Sequence, residues 1–223
     1  MRITKFGHAC VRLEHGGTTV VVDPGMFTDS AAFAGADAVL ITHEHVDHFE
    51  EAGLRQALAA NPALRVWTNP AVAARLDGVA SRVTAVGEGD AFGVGGIGVS
   101  VHGEWHAVIH PDIPRVKNVG FLFDGRLFHP GDALTVPPHA VETLLLPIAG
   151  PWTKVSELID YVREAGPRQA VPVHDAVLSP AGLAVHTRLV GPGGPGTGAE
   201  LAVLADGESL DLDLDLDRDL DLG

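Results

Sequence analysis

The 223-residue chain has one cysteine, one tyrosine, two methionines and three lysines. A lone thiol, Cys10, cannot close an internal disulfide, which agrees with a reducing compartment, and it reads as a small buried hydrophobe. No apolar run approaches the roughly 20 residues that a membrane-spanning helix needs. Met1 to His8 also lacks the apolar centre of a secretory signal, so a cytoplasmic protein with no membrane partner is expected. Positive charge is scarce as well. Fifteen Lys and Arg face 29 Asp and Glu, for a net charge of −14. Phosphate backbones are bound by basic surfaces, so this balance argues against a nucleic-acid partner. The acidity is uneven: Leu201 to Gly223 holds eight acidic residues against one Arg, which leaves the body of the chain only mildly acidic.

What is present is an ordinary globular composition, 46% hydrophobic and 20% charged, sufficient for a real core. Alternating apolar residues predict strands over 2–6, 9–14 and 18–23, with His15-Gly16-Gly17 as the turn between the last two. An apolar run at 38–42 reads as a buried strand, followed by helical spacing over 49–60. Further strands are expected at 64–68, 82–86, 97–102, 119–123 and 126–129, the last two joined by the hairpin signal Asp124-Gly125. Strands at 143–146 and 169–173 flank a helix from the cap Thr153 to Ala165, stopped by Gly166-Pro167. A helix over 180–189, a Gly/Pro loop over 191–198 and an edge strand over 200–205 follow. With no Pro/Gly linker before residue 190, one α/β or α+β domain is expected over 1–208. The Leu-Asp alternation of 209–223 reads as an acidic tail, a short strand followed by disorder.

Chemistry concentrates at Thr42-His43-Glu44-His45-Val46-Asp47-His48, where three imidazoles and a carboxylate fall within six positions directly after a buried strand. In extended chain His43 and His45 project to one side and can share an ion, while Asp47 and His48 turn toward a second position. Nitrogen and hard-oxygen donors without sulfur suit Zn²⁺, with Mn²⁺ or Fe²⁺ as alternatives.

This H-x-H-x-D-H cluster resembles the signature of the metallo-β-lactamase superfamily. The resemblance extends to Val22-Asp23-Pro24-Gly25 after the opening strands, Pro130-Gly131-Asp132 after a hairpin, and Val171-Pro172-Val173-His174 at a strand end. Gly7-His8-Ala9-Cys10 and the closing Pro-Val-His are most similar to the branch that contains ascorbate-6-phosphate lactonase. The resemblance implies a four-layered αββα sandwich and two divalent metal ions. One ion would take His43, His45 and a third His, the other Asp47, His48 and His174, with Asp132 bridging. Three histidines, His102, His106 and His110, compete for the third place; the family puts it on a short loop just beyond a strand, which His106 fits best. Ala133 stands where many relatives carry Thr.

The activity so implied is metal-dependent hydrolysis, with a metal-bound hydroxide attacking a small ester, lactone or phosphoester, and with Asp47 and Asp132 as the catalytic carboxylates. A nuclease-type phosphodiesterase of the same fold and a non-catalytic metal-binding module are the alternatives. The expected partner is a small molecule, anionic if Lys154 at the helix start or Arg115 and Lys117 in the polar segment 110–118 contact it; homo-oligomerisation stays open. Asp23 is a candidate to receive the second N–H of a ligating imidazole. His8 either lines the pocket or braces a strand end, and His129 either supports the site or packs in the core. Trp105 and Trp152 are candidates to wall the cleft, with Trp67 in a core strand.

Overall fold

In the computed structural model, which describes residues 1–212, the apolar alternation resolves into two seven-stranded sheets. The chain opens with a meander of β1 (Arg2–Lys5), β2 (Val11–His15) and β3 (Thr18–Val22). Gly16 and Gly17 both take positive φ in the β2–β3 turn, a conformation that tight hairpins demand and glycine adopts freely. β4 (Ala38–Ile41), β5 (Arg65–Thr68) and β6 (Val83–Ala85) add in parallel, connected through α1 (Glu51–Ala60) and α2 (Pro70–Arg75).

The second sheet comprises β7 (Ala91–Val94), β8 (Ile97–His102), β9 (Gly120–Phe123) and β10 (Leu127–His129), all antiparallel to their sequence neighbours. β11 (Thr143–Pro147), β12 (Gln169–Val173) and β13 (Glu200–Leu201) extend it in parallel, with α3 (Val155–Ala165) and α4 (Pro180–Val190) between them. β14 (Ser209–Asp211) crosses back to the first sheet against β1, and Leu212 joins the core. The first sheet thus extends past residue 208, and the rest of the acidic tail, 213–223, lies outside the described residues.

Side-chain alternation sorts the strands into layers. Val20, Val22, Ala38 and Leu40 face Val101, Phe121, Phe123, Leu145 and Val171 between the sheets. Their neighbours Val21, Val39 and Ile41 point the other way, onto Leu54 and Leu58 of α1 and Val72 of α2. On the opposite side Leu144 and Leu146 meet Leu158, Ile159 and Val162 of α3. The result is the four-layered αββα sandwich.

Two elements were not expected from the sequence. β7 lies in the glycine-rich stretch around Gly93, where strand propensity is weak, and forms because it pairs along β8. α2 starts where Asn69 accepts the amides of Ala71 and Val72 ahead of Pro70, an N-cap followed by proline at the first helical position. Helix α3 is capped one residue later than expected, at Lys154, whose amide donates to Glu157. α1 begins after Glu50, whose carboxylate accepts from Ala52 and Gly53.

Leu145 is fully buried in the layer between the sheets. Leu145→Ala is expected to lower unfolding free energy by about 2–5 kcal/mol through lost transfer energy and a residual cavity, read from urea denaturation midpoints with the slope unchanged.

Candidate metal centre

Five loops meet at one edge of the sandwich. They follow β3 (Asp23), β4 (His43 to His48), β8 (His106), β10 (Asp132) and β12 (His174). Two glycines allow the backbones to approach closely. A Cβ on Gly25 would lie 1.8 Å from the Asp47 carbonyl oxygen, and one on Gly131, at φ 65°, would lie 2.3 Å from Asn118 Oδ1. Three of the four non-glycine residues with positive φ among the described residues are His8, Asp23 and His174. Such conformations persist only where surrounding contacts enforce them.

The side chains form two adjoining groups. In one, single donor atoms of His43, His45, His106 and Asp132 lie within 4.8 Å of one another; in the other, so do those of His8, Asp47, His48 and His174. Asp132 lies between the two groups. Its Oδ1 is 3.0 Å from His48 Nε2, and its Oδ2 is 3.1, 3.4 and 3.9 Å from Nε2 of His174, His106 and His43. Trp152 Nε1 donates to Asp132 Oδ2 at 3.0 Å and holds the carboxylate in place.

The far nitrogens explain the orientation. His48 Nδ1 donates to Asp23, His106 Nδ1 to the Ala107 carbonyl and His174 Nδ1 to the Ala149 carbonyl. His43 Nδ1 donates to Thr42 Oγ1, whose own hydrogen goes to Asp23. In the neutral form that ligates a metal an imidazole carries one N–H, so with Nδ1 donating, all four rings would turn an Nε2 lone pair toward the centre. His45 turns Nδ1 inward, 3.1 Å from His43 Nε2. Nε2 of His48, His106 and His174 and Oδ1 of Asp132 are buried without a hydrogen-bond partner. Buried polar atoms left unpaired are costly, and a divalent cation among these nitrogens and oxygens satisfies them together, so the residues fit a metal ion.

Asp23 is wholly buried and accepts four hydrogen bonds, from the Thr42 amide, the Thr42 hydroxyl, His48 Nδ1 and His129 Nε2. Burial by itself would raise its pKa. The charge of His48 and the hydrogen bonds from His129 and His48 outweigh burial and hold the carboxyl well below the usual range. Burial and the nearby His48 depress His43. His48 goes the other way: burial opposes its charge, but Asp132 and Asp23 together raise it well above the ordinary value.

The profile of the β-lactamase superfamily domain matches residues 2–174. The chain belongs to the metallo-β-lactamase superfamily. It is 41% identical over 192 residues to protein Rv0786c of Mycobacterium tuberculosis, covering 83% of this chain and 89% of that one. It is 26% identical over 202 residues to a UPF0173 metal-dependent hydrolase of Aeropyrum pernix, covering 78% and 81%. Its fold is similar to that of Igni18, a metallo hydrolase from Ignicoccus hospitalis, with TM-score 0.72, 20% identity and 94% and 97% coverage. This superfamily member is a metal-dependent hydrolase.

Of the three histidines that competed for one place, only His106 reaches the cluster. His102, at the end of β8, pairs with Ser100 Oγ and Glu88, and His110 is an exposed residue beside Asp112. His129 supports the site through Asp23. Trp152 walls the cluster beside His106 and His174, whereas Trp105 lies under Lys117 and Arg115 and Trp67 stacks on Phe92. Arg115 donates to the His106 carbonyl and Lys117 pairs with Glu104, so both cations brace their own loop. Asn118 is the residue that sequence reasoning missed. Buried completely, it accepts the Asp132 amide and donates to the Pro130 carbonyl, fixing the turn that aims Asp132.

Burial would lower the pKa of His174, but Asp132 and Asp47 outweigh it and push it up to about 9. Against an ordinary value of about 6.5, this raised group contributes stability that is full below about pH 6.5 and lost as pH rises through about 9. The melting temperature of the chelator-treated protein is expected to fall across that interval. Excess Zn²⁺ is expected to remove the decline, because imidazole ligates in its neutral form. Scanning calorimetry with and without chelator measures both slopes.

Proposed function

We propose that the protein hydrolyses a small ester, lactone or phosphoester at a centre of two divalent ions, with Zn²⁺ favoured by the nitrogen-rich donor set. His43, His45 and His106 would hold one ion and Asp47, His48 and His174 the other, with Asp132 shared. The observation that carries this reading is the convergence of four imidazole Nε2 atoms on the two oxygens of Asp132. Bound ions at such a centre lower the pKa of water toward about 7 and polarise a carbonyl or phosphoryl oxygen.

The chain's own groups divide the remaining work. Asp132 is buried, bonded to Trp152 and surrounded by imidazoles, which suits it to hold position. Asp47 keeps 24% of its side chain exposed and carries the more accessible carboxylate, placed to accept a proton from attacking water and release it to solvent. Burial opposes ionisation of Asp47, yet His174 and His8 beside it hold its carboxyl below the usual range, so it is ionised at neutral pH. Trp152 and His106 supply a wall that limits water on one side. The net charge of −14 supports a small-molecule substrate over nucleic acid.

Purified wild type is expected to carry two equivalents of metal by mass-spectrometric metal analysis and to cleave at least one member of a panel of lactones, carboxylic esters and phosphodiesters. His45→Ala and Asp132→Ala are expected to lose metal and to lower kcat/KM by about 100-fold or more. Variants as active as wild type across that panel would overturn the proposal.

A further inference from the structure

His8 belongs by position to the group with Asp47, His48 and His174, yet its hydrogen bonding is the reverse of its neighbours'. Its Nδ1 accepts the backbone amide of Ala176 at 3.1 Å, so that nitrogen carries a lone pair and the ring's single hydrogen resides on Nε2. His43, His48, His106 and His174 in their neutral form have the opposite tautomer, with Nδ1 donating and the Nε2 lone pair facing the site. The atom that His8 turns into the site is thus an N–H. It stands 3.3 Å from Asp47 Oδ2, where it donates.

The ring has little freedom to do otherwise. The His8 side chain is 1% exposed, and its ring lies 3.9 Å from that of His174 and 5.1 Å from that of Phe27, centroid to centroid. Its backbone has φ 47° and its carbonyl accepts the His174 amide at 2.9 Å. The preceding Gly7, at φ 104°, sits so close to the Phe27 carbonyl that a Cβ would fall 2.3 Å from that oxygen. Moving the hydrogen to Nδ1 would set it against the Ala176 amide and leave Asp47 Oδ2 without its donor. A strained backbone held from three sides is an expensive way to place a residue that only fills space.

We infer that His8 is a positioning residue and no metal ligand: a fixed Nε2–H donor that orients Asp47 toward the second ion. The inference rests on the two-ion reading given above. It places on the N-terminal Gly7-His8 turn a role that ligating imidazoles themselves need from their carbonyl and carboxylate partners, here applied to a ligating carboxylate.

The test uses the full-length protein labelled with ¹⁵N at histidine. Long-range ¹H–¹⁵N correlation spectra of the chelator-treated protein, and of the same sample with two equivalents of Zn²⁺, identify the tautomer of each ring. His8 is expected to keep its hydrogen on Nε2 in both, while Nε2 of His43, His48, His106 and His174 shifts as zinc binds. Loss of the His8 Nε2 hydrogen on zinc addition would make it a ligand and overturn the inference.

Calorimetric zinc titration of two variants gives a second readout. His8→Phe is expected to weaken the second equivalent about 10–100-fold with the first unchanged. His8→Gln, whose amide nitrogen can donate to Asp47, is expected to recover most of the loss. Equal loss in both variants, or no loss in either, contradicts the assignment. Neither measurement needs a substrate, so a protein that cleaves nothing while His8 behaves as expected would refute the hydrolase proposal alone.

Discussion

The centre depends on one buried carboxylate that never faces a substrate. Asp23 ends β3 at positive φ and gathers the Thr42 amide, the Thr42 hydroxyl, His48 and His129. Those partners come from the end of β4, the loop that follows it, and β10 of the other sheet, so one side chain joins both sheets at the edge where the loops meet. An ionised carboxylate buried this deeply is tolerable only with its acceptor sites filled by hydrogen bonds. Four donors do so, and in return their orientation is fixed: Thr42 can accept from His43, and His48 must turn Nε2 inward. The tautomers of two histidines follow from this one acceptor.

The rest of the site repeats that logic with other acceptors. Carbonyls of Ala107 and Ala149 take the Nδ1 hydrogens of His106 and His174, and Asp132 is aimed by Asn118 through its backbone amide and by Trp152 through its carboxylate. A preorganised set of lone pairs costs stability in the absence of a cation, because desolvated groups face one another unpaired. Apolar layers on both sides of both sheets supply the compensating stability, and the cluster sits at their edge, where loops can carry it.

Much of this was legible from residue identity. His43, His45, Asp47 and His48 are adjacent in sequence, and their chemistry survives any modest error in secondary structure. Asp132 and His174 were readable through the family resemblance, which Pro130-Gly131-Asp132 and Val171-Pro172-Val173-His174 carry. His106 could be ranked above His102 and His110 but not separated from them, since the choice turns on where the chain leaves β8. The role of Asn118 was beyond reach and that of His8 stayed open between pocket and strand end: each is defined by a contact with a backbone amide, Asp132 for the first and Ala176, 168 positions away, for the second. In the fold, α2 carried a readable Asn-Pro start, whereas β7 owes its existence to a partner strand. The edge strand expected over 200–205 shrank to Glu200–Leu201, with only those residues in register with β12.

The central claim is that Asp132 lies between two metal positions that share the His43 to His48 loop and are completed by His106 and His174. Anomalous diffraction at the zinc edge from zinc-loaded crystals tests it most directly. Two peaks are expected, one against His43, His45 and His106, the other against Asp47, His48 and His174, both touching Asp132. A single peak, or peaks that do not touch Asp132, would contradict it.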